Sequence, residues 1–256
     1  WATTDDGITG TVVEHPLADW EAFDSYVFPN PEHQMGIGPI HWDDVKKSID
    51  DAHARGDLAS GGLRHGHTFL QLCDVRGYNN LLFDMVDEEP KLLKLIEGIE
   101  EFNYFIVKRY LDLGIDMFGF PEDLGMQVGP MLSPDQFRRY IKPSYSRMMK
   151  SVRNKGIPVH MHSDGDIRAL VDDIVDSGVV VINLQDLVNG VDWIRDRFHG
   201  KMCVELDIDR QNVTVFGTPK DIDELIRYEV ETLACPDGGL MMVFGLYPGT
   251  PKENVV

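Results

Sequence analysis

The sequence predicts an α/β fold, a distorted (β/α)8 or TIM barrel, and three observations predict it. From Gly66 onward, short apolar runs alternate with longer segments of helical period, the pattern of repeated βα units. Polar residues gather just after the apolar runs rather than before them, as at the C-terminal rim of a parallel barrel. The stretch Ile157-Pro-Val-His-Met-His-Ser-Asp-Gly165 sets His160, His162 and Asp164 at alternate positions as a strand runs out into a loop. On an extended backbone these residues share one face, which in a barrel looks toward the axis.

The elements follow in order. A first strand is expected over Thr68 to Cys73. After Pro90, the residues Leu92, Leu95, Ile96, Ile99, Phe102, Ile106 and Tyr110 recur at helical spacing until Gly114, a C-terminal stop. Ile115 to Phe118 reads as the next strand. Ser133-Pro-Asp-Gln136 opens a helix with a hydroxyl cap, a first-turn proline and a Gln three residues on, and Gly156 closes it. Ile157 to Met161 makes a strand, and Asp166 caps a helix ending at Gly178. Val179 to Leu184 is apolar on both faces apart from Asn183, as a strand covered on both sides should be. A short helix over Val191 to Phe198, a strand over Lys201 to Leu206, a helix from Thr218 to Leu233 and a strand over Leu240 to Phe244 complete the series. A full barrel needs eight strands. These six leave one or two to lie before Trp1 or within the first 65 residues, which are rich in Pro, Gly and Asp. The expected organisation is an irregular segment over 1–65 that packs on a barrel over 66–256. Both termini read as trimmed, since the chain opens at Trp1 and stops at Pro251-Lys-Glu-Asn-Val-Val256, where a helix is starting. A doubly wound sheet is the competing architecture.

Composition narrows the function. With 256 residues, 43% of them hydrophobic, the chain can bury a full core. Cys73, Cys203 and Cys235 are far apart and form no CxxC pair, which fits a reducing compartment and neither a disulfide framework nor a four-cysteine zinc site. No apolar run approaches a membrane span and no charged-then-apolar leader is present, so a cytoplasmic protein is expected. A formal charge of -19 would repel phosphate backbones and anionic lipid, which argues against nucleic-acid and membrane partners and for a small-molecule substrate.

The candidate site residues are those that follow the strands: Glu122 and Asp123, His162 and Asp164, Gln185 and Asp186, Asp207 and Asp209, and Tyr247. Asp166 reads as a cap. Asp123, Asp186 and Asp207 suit a cap and a binding residue equally, because Asp after a strand often closes a turn. His160 reads as a satisfied buried histidine. His162 lies beyond the apolar part of its strand, before a Ser-Asp-Gly turn, and reads as functional. His65 and His67 alternate beside the first expected strand and are weaker candidates. His162, Asp164 and Glu122 with water suffice for Zn²⁺, whereas carboxylates alone would favour harder ions.

Seven segments give the chain a resemblance: Glu14-His-Pro-Leu-Ala-Asp-Trp20, Val75-Arg-Gly-Tyr78, Glu122-Asp-Leu-Gly-Met-Gln127, Leu132-Ser-Pro134, His162-Ser-Asp-Gly165, Gly217-Thr-Pro219 and Thr250-Pro-Lys-Glu-Asn254. They resemble the uroporphyrinogen decarboxylase superfamily, which includes corrinoid-dependent methyltransferases and is related in fold to cobalamin-independent methionine synthase. The resemblance implies a (β/α)8 barrel. Its zinc methyltransferases carry His-x-Cys-Gly and a second Cys after the last strand. Here His162 matches the histidine, Asp164 stands where the first Cys belongs, Gln185 or Asp186 lies near an acidic position, and Gly245-Leu-Tyr-Pro-Gly249 lacks the second Cys. Oxygen ligands leave a metal poorer in electrons than thiolates do, so the implied methyl acceptor is a pterin nitrogen of tetrahydrofolate rather than a thiol.

The expected activity is methyl transfer between a corrinoid such as methylcobalamin, carried on a corrinoid protein, and a small acceptor. His162, Asp164, Glu122 and Asp209 are the expected catalytic residues. Asp123, Gln127, Gln185, Asp186, Asp207 and Tyr247 are the expected binding residues, and a homodimer is implied. One alternative is a porphyrinogen decarboxylase that uses no metal or cofactor. It meets the difficulty that a polyanionic substrate needs an arginine cluster these residues do not supply. The other is a barrel that binds a corrinoid or tetrapyrrole without turnover.

Overall fold

The computed structural model describes residues 2–3 and 10–255. Its main sheet has six strands: β1 (Ser60–Gly62), β2 (Met117–Pro121), β3 (Val159–Ser163), β4 (Val181–Gln185), β5 (Cys203–Asp207) and β6 (Leu240–Val243). They lie side by side in chain order and every neighbouring pair is parallel. Strictly sequential order is that of a (β/α) barrel wall. A doubly wound sheet reverses its strand order at a switch point, and none occurs here.

One strand was misplaced by its apolarity. Thr68 to Cys73 is not a strand: residues Phe69–Arg76 form helix α2, with Phe69, Leu72 and Val75 buried at helical spacing. A short apolar run has no period of its own, so either element fits it. The strand lies earlier, at Ser60–Gly62, within the segment whose glycines concealed it. That segment also holds the 14-residue helix α1 (Trp42–Arg55), more regular structure than its composition suggests.

Strands β2 to β5 each start two residues later than their apolar runs, because Ile115 and Val179 are buried in the entry loops. Alternation then divides the side chains. Phe118, Phe120, Val159, Met161, Ile182, Leu184, Val204 and Leu206 are buried on the helix-covered face. His160, His162, Asn183, Glu205 and Asp207 take the other face, which looks into the barrel. The helices on the outside include α3 (Tyr78–Asp87), α4 (Pro90–Leu113), α5 (Lys142–Arg153), α6 (Val171–Ser177), α7 (Val191–Phe198) and α8 (Pro219–Leu233).

Local chemistry sets the boundaries. Ser133 and Gln136 form the expected capping box, but Phe137–Ile141 then adopt a π-helical turn before α5. Pro143 has no N–H to donate back along a regular helix, which accounts for the widened turn. Asp166 accepts from Arg168 N at 3.1 Å and caps a turn, with α6 following only at Val171. The Glu14–Trp20 segment docks on the end of α2 through Arg76. Its guanidinium donates to Leu17 O at 2.9 Å, pairs with Asp84 at 2.7 Å and lies 4.6 Å above the Trp20 ring. Among the described residues, no helix is long and apolar enough to cross a membrane.

Candidate functional site

Adjacent residues at the end of β2 point opposite ways. Glu122 continues the helix-covered parity of Phe118 and Phe120, whereas Asp123 takes the barrel parity and meets His162. Asp123 Oδ1 lies 3.3 Å from His65 Nε2 and 3.5 Å from His162 Nε2, and it accepts from Asp164 N at 3.0 Å. The ligating atoms of His65, Asp123 and His162 all lie within 4.8 Å of one another. Donors around a tetrahedral zinc with bonds of about 2.0 Å stand roughly 3.3 Å apart, so this set fits such an ion.

Asn183 fixes which imidazole nitrogen is available. Its Nδ2 donates to Glu205 O at 2.9 Å, so its Oδ1 faces His162 and accepts from Nδ1. Nε2 is thereby turned to Asp123 and Asp164, the latter 3.6 Å away. A ligating histidine is ordinarily oriented by a hydrogen bond of this kind on its other nitrogen. Burial would lower the His162 pKa, but the hydrogen bonds to Asp123 and Asn183 and the nearby carboxylates outweigh it and raise it. Burial pushes the Asp123 carboxyl up, yet the hydrogen bonds from His162, His65 and Asp164 N hold it well below the usual carboxylate range.

Asp164 pairs with Arg210, a residue the sequence reading missed. Arg210 Nη1 also lies 2.7 Å from Asp207 and donates to Tyr247 Oη at 2.5 Å, with the guanidinium 4.9 Å from the Tyr247 ring centre. The loops after β3, β5 and β6 are thus joined at one cation. The Asp207 contact is close but lies off the N–H direction, so both its buried oxygens lack a hydrogen bond. Burial pushes its carboxyl up to about 6 against the pull of Arg210.

The remaining expected residues are placed elsewhere in the architecture. Glu122 is fully buried; its Oε1 accepts from Thr68 N and Leu70 N, both at 2.9 Å, and its Oε2 accepts from Tyr145. It anchors the start of α2 and does not join the His65, Asp123 and His162 group. Burial pushes it up to about 7. Asp209 caps the short helix Val213–Phe216 through the N–H groups of Gln211, Asn212 and Val213. Asp186 accepts from Asp209 N at 2.9 Å, and Gln185 accepts from Gly165 N at 2.9 Å, so both hold loops at the rim. Gln127 is exposed on the hairpin of Gly125–Met126 and Gly129–Pro130. His160 pairs with Glu205 at 2.9 Å, deeper in the barrel.

Two signals could have found the missed residues. Asn183 is the one polar residue in its apolar run. Arg210 stands three residues after Asp207, a spacing that lets opposite charges meet on a turn.

Behind Asp186, Glu229 of α8 has no exposure and its oxygens find no donor, and burial together with the nearby charges of Asp186 and Asp209 pushes it up to about 9 from 4.5. It is therefore protonated in the fold at neutral pH. An unfolded glutamate releases that proton near 4.5, so between 4.5 and about 9 the native chain holds more protons and stability falls as pH rises. Glu122 and Asp207 act in the same direction at lower pH. Urea midpoints at about pH 7.5 and about pH 9 are expected to show a decline of up to about 1.4 kcal/mol per pH unit, flattened in Glu229→Gln. An equal slope in both proteins would assign the proton to another group.

The family model for uroporphyrinogen decarboxylase (URO-D) matches residues 64–256. Uroporphyrinogen decarboxylases from two strains of Thermus thermophilus are each 30% identical over 176 residues, which is 67% of this chain. The chain spans about half the length of these curated relatives, 48%. A solved methyltransferase from Methanosarcina mazei matches with a TM-score of 0.62 at 16% identity, over 84% of this chain and 60% of its own. That likeness is one of fold, and it agrees with the barrel topology.

Proposed function

Because this chain belongs to the uroporphyrinogen decarboxylase family, we propose that it works as a metal-assisted methyltransferase, moving a methyl group between a corrinoid delivered by a partner protein and a small acceptor. One observation carries this reading: the donor atoms of His65, Asp123 and His162 converge within 4.8 Å at the barrel mouth. A divalent ion such as Zn²⁺ held there would serve as a Lewis acid toward the acceptor at an open position. Asn183 keeps His162 Nε2 directed at the site. Asp164 pairs with Arg210 and so has a positioning role. Asp207, buried and pushed up to about 6, is suited to exchange the proton of an acceptor nitrogen as its bond to the methyl group forms or breaks. With two imidazoles and a carboxylate in place of thiolates, a pterin nitrogen of tetrahydrofolate is the favoured acceptor. Met126, Val128 and Leu246, exposed on loops at this end, offer an apolar rim for a flat macrocycle.

A decarboxylase is the second reading, favoured by the two curated relatives. Against it, Arg64 and Arg210, which follow β1 and β5, are already paired with Asp74 and with Asp164 and Asp207. The test is to mix zinc-loaded protein with methylcobalamin and tetrahydrofolate and follow the corrinoid absorbance. Loss of the methylcobalamin band that needs both metal and acceptor is the expected outcome. Carbon dioxide release from uroporphyrinogen by metal-free protein, with the band unchanged, would favour the decarboxylase. A spectral shift without turnover would indicate a binding barrel.

A further inference from the structure

At the end of the barrel opposite the mouth, the loops leading into β5 and β6 enclose a cavity of about 360 Å³. His199, Lys201, Cys203, Cys235 and Asp237 line it. His199 follows the last residue of α7 and Cys235 follows α8 by two residues, so two helix ends bring them together. His199 Nε2 lies 3.1 Å from Cys235 Sγ and 3.3 Å from Ala234 O. A nucleophile within hydrogen-bond reach of a base, beside an open space, is the arrangement that thiol chemistry requires.

We propose that Cys235 is a modification site whose thiol, assisted by His199, exchanges with a small disulfide seated in this cavity. As His199 takes the thiol proton, Cys235 Sγ attacks one sulfur of R–S–S–R. The Cys235–S–S–R bond forms, the original S–S bond breaks, and R–S⁻ leaves, to be protonated from His199. Cys235 is oxidised and the disulfide is reduced by the same two electrons. Once protonated, Nε2 can donate to both Ala234 O and Cys235 Sγ. Lys201 and Asp237 line the cavity, with the Lys201 ammonium turned to Asp196 O at 3.2 Å, and glutathione disulfide serves as the probe of the small-disulfide class. The other thiols make poor competitors: burial pushes both Cys73 and Cys203 up, and Cys73 the further. This site is independent of the metal group at the mouth.

The experiment treats the whole chain with glutathione disulfide and follows mixed-disulfide formation at each cysteine by peptide mass spectrometry. Cys235 is expected to react at least about tenfold faster than Cys203, and His199→Gln to slow Cys235 by about tenfold or more, as loss of a general base does. Cys73 reports folding in the same sample, since a chain that opens would expose it as well. Equal Cys235 rates in wild type and a folded His199→Gln protein would overturn the proposal. So would Cys203 reacting first.

Discussion

Replacing His162 with alanine is expected to lower zinc affinity by at least about 100-fold and to abolish metal-dependent turnover. This imidazole is the hub of the mouth. Its Nε2 stands 3.5 Å from Asp123 and 3.6 Å from Asp164, and its Nδ1 is held by Asn183. Without it, His65 and Asp123 are left as a two-donor site, and Asp123 loses a hydrogen bond that holds its carboxyl ionised despite burial. Asn183→Leu, which removes the orienting group and keeps the ligand, is expected to weaken binding by about 10–100-fold. Metal content after loading, together with titration calorimetry, reads both changes. Since the His162 pKa is raised, protons compete with the metal to a higher pH than at an ordinary imidazole, so affinity should climb as pH rises through neutrality. A His162→Ala protein that binds zinc like wild type would remove the metal site.

Neighbouring carboxylates at the end of β2 show how one strand can serve two ends. Glu122 is buried under the helices and pushed up to about 7, while Asp123 faces the mouth and is held low. Strand parity decides which neighbours each carboxyl meets, because one residue changes which side of the sheet a side chain takes, and the hydrogen bonds from His162, His65 and Asp164 N then hold Asp123 low. Helix α2 is tied by its first N–H groups to Glu122, so the same strand end fixes the outer layer and presents Asp123 to the barrel.

Much of the fold was legible because helix-covered strands must be apolar, and β2 to β5 announced themselves that way. Their polar ends were not, since His162, Gln185 and Asp207 remain in the ladder while facing a polar mouth. β1 could not be read from apolarity, being Ser60-Gly-Gly62. That single misplacement left His65 a weaker candidate, set before a strand rather than after one. With the strand set at 60–62, His65 follows a strand end as the other mouth residues do. Arg210 is illegible for a different reason: its partners Asp164 and Asp207 lie on separate strand ends, so the cation that joins their loops shows itself only once those ends are brought together.

Replacing Gly165 with alanine is expected to cost about 2–5 kcal/mol and to take the metal site with it. Gly165 has φ of 80°, and a Cβ there would lie 2.2 Å from the carbonyl carbon of Gly125 and 2.4 Å from its oxygen. A Cβ on Gly125 would in turn lie 2.5 Å from Gly165. Backbone therefore meets backbone, with no flexible side chain to yield. The left-handed conformation accounts for about 1–2 kcal/mol and the forced separation for about 1–3 more. The contact holds the loops after β2 and β3 in register, through Gly125 N to Asp164 O at 3.2 Å and Asp166 N to Met126 O at 2.7 Å. Those loops carry Asp123 and Asp164, so spreading them pulls Asp123 away from His162. Gly114→Ala separates the two contributions: Gly114 has φ of 82° but nothing within 4 Å of its Cβ, so it carries the conformational cost of about 1–2 kcal/mol alone. Denaturant midpoints and zinc titrations on the two variants are the measurement. If Gly165→Ala proves as mild as Gly114→Ala, with zinc binding intact, the close approach of the two loops does not position the site.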